Sequence, residues 1–226
     1  MSTMVARSIG SSERGAALLI VITLVLMLGA ISAAVAIASR TETLLAAGFR
    51  QGRETAYAAE GAVALAVREL ASISEWNAVL TGAVTASFTD GAAIGTKTLF
   101  GGEPVTLCCG RPSATDDVQQ RAFGGRDWGD DTPQWQIFAW GPVARWLPAG
   151  RIDSALYVTV WVADDGEDGD RNPFADSNGI LLVHGQARGP AGSRRILEAA
   201  IRRQTIGEPA APGPGVHVLT WQEIRW

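Results

Sequence analysis

The chain has 226 residues, 47% of them apolar and 19% charged, with a formal net charge of −4 and two cysteines. A charged fraction below the roughly 25% of ordinary soluble domains argues against wholesale disorder. The acidic balance argues against a nucleic-acid binder with its basic face, and two cysteines cannot build a disulfide scaffold. Both averages are local. Residues 16–39 carry no charge, whereas residues 164–176 hold six acidic side chains and one arginine.

The apolar run, AALLIVITLVLMLGAISAAVAIAS, is long enough as a helix to cross a hydrocarbon core of ~30 Å. It exceeds the ~7–15 apolar residues of a secretory signal, although Ala34-Val35-Ala36 and Ala36-Ile37-Ala38 have the small-x-small form of a cleavage site. An uncleaved anchor also fits. Arg7 and Arg14 precede the run and Arg40, Arg50 and Arg53 follow it, so arginine bias does not orient it. Beyond Ser39 no proline appears until the globular part. Leu45, Phe49, Ala56, Val63, Val67, Leu70 and Ile73 recur at the helical period. The spacing predicts one helix of nearly 60 residues, apolar on every side over 16–39 and amphipathic over 40–73.

From residue 74 onward the pattern becomes strand-like, with expected strands at 97–108, 135–146, 155–163, 179–187, 195–204 and 216–226. Residues 187–193 read as a hairpin turn. The expected fold is α+β, a long N-terminal helix packed on a C-terminal antiparallel sheet domain spanning 74–226.

Glu13-Arg14-Gly15 stands directly before Ala16-Ala17-Leu18-Leu19. This junction resembles the prepilin cleavage site of type IV pilins and type II secretion pseudopilins. The resemblance implies a leader over 1–15, cleavage between Gly15 and Ala16 by prepilin peptidase, and methylation of the new amine. Tyr57-Ala58-Ala59-Glu60-Gly61-Ala62 resembles the Ala-Ala-Glu-Ala segment of PilX-type minor pilins. Most pilins carry a glutamate five residues after the cut, where this chain has Ile20. A carboxylate there can pair with a neighbouring subunit's amine inside an apolar filament. Its lack suits a minor or initiating subunit and is shared with K-type minor pseudopilins. The family's partners would be other pilins and minor pilins, the prepilin peptidase and an inner-membrane assembly platform. By the same resemblance the chain would sit in the inner membrane with its C-terminal domain in the periplasm, then enter a filament at the cell surface.

In the acidic loop, Asp164, Asp165, Asp168, Asp170, Asn172 and Asp176 offer hard oxygen ligands of the kind Ca²⁺ takes. Asp168, Asp170, Asn172 and Asp176 match positions 1, 3, 5 and 9 of an EF-type loop. Pro173 stands where that loop needs glycine and Gly179 where it needs glutamate, so it is not an EF-hand. A solvated acidic turn is the competing reading. Cys108 and Cys109 are adjacent; two buried thiols are expected ahead of a vicinal disulfide, and zinc would need further ligands although His184 and His217 are the chain's two histidines. No nucleophile-elbow, phosphate-loop or zinc-protease motif occurs, and the expectation is a protein that is not an enzyme. Beside the pilin reading stands a different class, a signal-anchored periplasmic calcium-binding domain.

Overall fold

The computed structural model describes residues 12–121, 129, 132–146, 154–204 and 215–224. Residues 1–11 of the expected leader, the proline-rich stretch 205–214 and the terminal Arg225 and Trp226 lie outside them. Helix α1 runs Ser12–Leu70. The chain forms two compact units, the first up to Arg50 and the second from Gln51. In the first, the apolar side chains from Leu18 to Ile37 are exposed throughout, and this helix is long and apolar enough to cross a membrane. Thr23, Ser32, Thr41 and Thr43 return their hydroxyls to backbone carbonyls three or four residues earlier, so the few polar groups there are satisfied within the helix.

The second unit is built on a five-stranded antiparallel sheet whose spatial order follows the sequence: β3 (Gln136–Pro142), β4 (Tyr157–Asp164), β5 (Ile180–Arg188), β6 (Arg194–Arg203) and β7 (Val216–Ile224). Each hairpin brings its next strand alongside the last, so the hydrogen-bonded neighbours are always consecutive. The β5–β6 turn falls where expected: Arg188 pairs with Arg194, and Gly189 N–H donates to Ser193 O at 2.8 Å. All eight residues of β4 are buried, because both faces of the sheet are covered.

One face receives the last turns of α1. Ala59, Ala62, Val63, Ala66, Val67 and Leu70 pack with Val158, Val160, Val162, Leu181, Val183, Leu197 and Ile201. Of the expected stripe, Val63, Val67 and Leu70 pack here and Ile73 lies against the same core, whereas Leu45 and Phe49 are exposed and small alanines form the rest of the packing row. The reason is close approach. A methyl group on Gly185 of β5 would overlap Val63 Cγ2. Nearer the start of this unit, Thr55 is buried and shares its hydroxyl with Gln51 O at 2.8 Å and Ser193 Oγ at 3.2 Å, tying the helix to the β5–β6 turn.

The other face is covered by a segment read too simply from sequence. The expected strand 97–108 is a hairpin, β1 (Thr96–Thr98) and β2 (Pro104–Thr106), whose turn uses Gly101 and Gly102 at positive φ. Helix α3 (Ala114–Arg121) follows, and short α2 (Asn77–Leu80) lies after α1. Neither was expected. Ser113 and Asp116 form a reciprocal cap at the start of α3: Asp116 N–H donates to Ser113 Oγ at 3.2 Å and Ser113 N–H to Asp116 Oδ2 at 3.1 Å. Leu107, Val118, Trp135, Trp140, Tyr157 and Trp161 make the second core.

Two glycines in this unit make a signed pair of predictions. Gly185→Ala is expected to lose ~1–3 kcal/mol through overpacking against Val63. Gly61→Ala, on an exposed helical turn with nothing within 4 Å of the added carbon, is expected to gain ~0.5–1 kcal/mol. Urea unfolding of the full chain in micelles reads both signs.

Candidate metal centre

The site begins with an alternation carried one residue too far. Val158, Val160 and Val162 point from β4 into the helix-side core, and the next residue on that face is Asp164. Its side chain is only 2% exposed, and Oδ1 has no hydrogen-bond partner among the described residues. Burial pushes its carboxyl up to about 8, and the charges of Asp168, Asp165, Asp176 and Asp170 add to the shift.

The loop 165–179 then curls back over this carboxylate. Asp168 Oδ1 accepts from Asp170 N–H at 3.1 Å, Asp170 Oδ1 from Asn172 N–H at 2.8 Å, and Asn172 Oδ1 from Phe174 N–H at 3.2 Å. These are three successive turns in which a side chain captures the N–H two residues on. Gly169 and Arg171, at φ 76° and 61°, supply the left-handed positions between them. Asp168 Oδ2 also accepts from Ser177 N–H at 3.1 Å and its hydroxyl at 3.0 Å. Burial pulls the Asp168 carboxyl upward, but these donors outweigh it and hold it below the ordinary carboxylate range.

The curl brings one carboxylate oxygen each from Asp164, Asp168 and Asp170 within 4.8 Å of one another. Oxygens held ~2.3–2.6 Å from a common Ca²⁺ would be separated by at most about twice that distance, so the three fit one hard cation. Asp165 and Asp176 are placed as braces. Asp165 Oδ1 accepts from Asn178 Nδ2 at 2.9 Å, and Asp176 Oδ1 from Gly179 N–H at 2.6 Å. Burial raises both carboxyls from the ordinary range, against the pull of those donors. The cluster can hold a metal ion.

Sequence reasoning did not single out Ser177 and Asn178, which brace the loop from within, or Asn77 and Arg203, which fix it from outside. The i, i+2 row ending on Asp164 was a readable signal for its burial.

The other singled-out residues lie apart from this centre in role. Arg14, Gly15 and Ala16 are in the first turns of α1, with Gly15 and Ala16 exposed. Ile20 is 59% exposed, and Glu60 lies on an exposed position of α1. Cys108 and Cys109, expected as thiols, are joined in a vicinal disulfide, which occupies both sulfurs and leaves no thiolate pair for zinc. His184 is fully buried in the core, with Nδ1 2.8 Å from Glu198 Oε1 and its ring edge-on to Trp135 and Trp161. No family model, curated protein or solved structure matches the chain.

Proposed function

We propose that the chain is a minor pilin of a type IV pilus or related filament, resembling the PilX type. The observation that carries this reading is helix α1. A single helix, Ser12–Leu70, holds an exposed apolar stretch behind the Gly15-Ala16 junction and ends with a packing row on a five-stranded antiparallel sheet. An anchor needs only the first of these, and an ordinary core helix only the second. A filament subunit needs both on one element.

On this reading the protein waits in the inner membrane with its sheet domain in the periplasm. Prepilin peptidase cuts after Gly15, and the assembly platform draws the helix from lipid into a bundle of other pilins. The exchange is between equally apolar surroundings, so packing rather than new hydrophobic burial holds the subunit. Ile20 gives a neighbour no carboxylate to pair with, which favours a tip or initiating position over the repeating shaft. The cation held by Asp164, Asp168 and Asp170 is Ca²⁺ in this proposal, since clustered carboxylates on an irregular loop suit its flexible coordination better than the strict octahedron of Mg²⁺.

Mass spectrometry of the mature N-terminus tests the assignment. A methylated Ala16 is expected, and Gly15→Leu should leave full-length precursor and abolish incorporation. An intact Met1, or a chain starting at Ser39, would overturn the pilin reading. The former result would favour the anchored calcium-binding domain, which the orphaned Asp164 carboxylate independently supports. A methylated Ala16 in a K-type pseudopilin would instead sort with a type II secretion system, and co-purification of filament subunits separates the two.

A further inference from the structure

The acidic loop is fastened at its far end to the segment that follows α1, and this connection has no part in holding a cation. Asp176 N–H donates to Asn77 Oδ1 at 2.9 Å, at the first residue of α2. Three residues on, Gly179 O accepts from Arg203 N–H at 2.8 Å. The Arg203 guanidinium lies over the Trp76 ring, 4.2 Å from its centre, and donates to Ser74 O. Trp76 Nε1 donates in turn to Leu70 O at 2.9 Å, a carbonyl at the end of α1 that also accepts from Ile73 N–H at 3.2 Å. From Asp168 to the last turn of the long helix, each step is thus a hydrogen bond or a stacked contact.

The geometry points to a divalent-cation lock on the end of α1: filling the Asp164–Asp168–Asp170 cluster holds the loop closed, and the loop holds residues 71–80 against the sheet. The inference rests on the cation reading of that cluster. Its physical ground is that the Asp176–Asn77 bond is solvent-exposed, so it persists only while the loop that presents it is held. Without a cation, Asp164, Asp165, Asp168, Asp170 and Asp176 face one another with Arg203 as a nearby compensating charge, and their mutual repulsion favours opening. Opening moves Asp176 and Gly179, and so releases Asn77 and the Arg203 backbone together. The cation concentration would then set how firmly residues 71–80 and the last turn of α1 are held on the sheet.

Hydrogen exchange read by mass spectrometry, on the full chain in micelles with CaCl₂ or with chelator, tests this. Calcium is expected to slow exchange severalfold both in 165–179 and in 71–80. Asn77→Ala should keep calcium binding by calorimetry and slowing in 165–179, while losing the slowing in 71–80. Slowing confined to the loop of the wild-type chain would overturn the lock and leave the calcium site standing. An Asn77→Ala chain that still slows over 71–80 would overturn it as well. No heat of calcium binding and no slowing anywhere would remove the site and the lock together. The wild-type comparison needs no variant to fold.

Discussion

Asp164→Asn is expected to stabilise the protein in chelator and to deprive it of stabilisation by calcium. In the metal-free wild type, burial and four neighbouring carboxylates hold the Asp164 carboxyl at about 8, against an ordinary value of 3.8. Between those values the folded protein keeps a proton that the unfolded chain releases. Stability therefore falls as pH rises from about 4 to about 8, and the loss is complete above 8. Asparagine keeps the shape without the ionisation, so the variant should lack this slope and exceed the wild type near pH 7 by an amount on the order of a few kcal/mol. With calcium at a hundredfold over its Kd, the wild type should gain ~2.7 kcal/mol and the variant nothing. Melting temperatures across pH, with chelator and with calcium, check both halves. A variant less stable than wild type in chelator would show that Asp164 is not held at a charge cost.

Trp76→Ala is expected to cost ~3–5 kcal/mol, the range for removing a large buried aromatic. The ring is 2% exposed, packs beside Leu70 and Leu80, and carries Arg203 on its face. It also supplies one of the two donors to Leu70 O, beside Ile73 N–H. Trp76→Phe separates the contributions: the ring volume is largely kept, the donor is lost, and ~1 kcal/mol should go with the hydrogen bond. Urea unfolding of both variants in micelles reads the difference. A loss for Trp76→Phe equal to that for Trp76→Ala would mean that the hydrogen bond, not the packing, holds the corner.

Periodicity made the long helix and most strands of the sheet legible. Alternation in β4, the turn at 187–193 and the return strand after it all follow local rules, and local rules are what a sequence displays. What stayed hidden depends on distant partners. Leu45 and Phe49 sit on the helical period yet are exposed, and half of the row that packs is alanine, because Gly185, more than a hundred positions away, brings the helix close. The run 97–108 has strand composition throughout, and only the glycines at 101 and 102 mark the reversal inside it. In the candidate metal centre, the DxDxN spacing from Asp168 announces the curl. It does not announce that Asp164 would be drawn into the core row and left with a bare oxygen, nor that Asn77 would reach the loop from the opposite side of the sequence.

The consecutive order of the strands has a consequence in time. Every strand from β4 to β7 pairs with the one just before it in sequence, so the sheet can grow strand by strand in chain order. Helix α1 is made first, but Val63 waits for Leu197 before its side of the core is closed. At ~5–20 residues per second that interval is on the order of ten seconds. The apolar half is complete long before then and can enter a bilayer at once. Translation order therefore completes the apolar stretch well before the sheet exists.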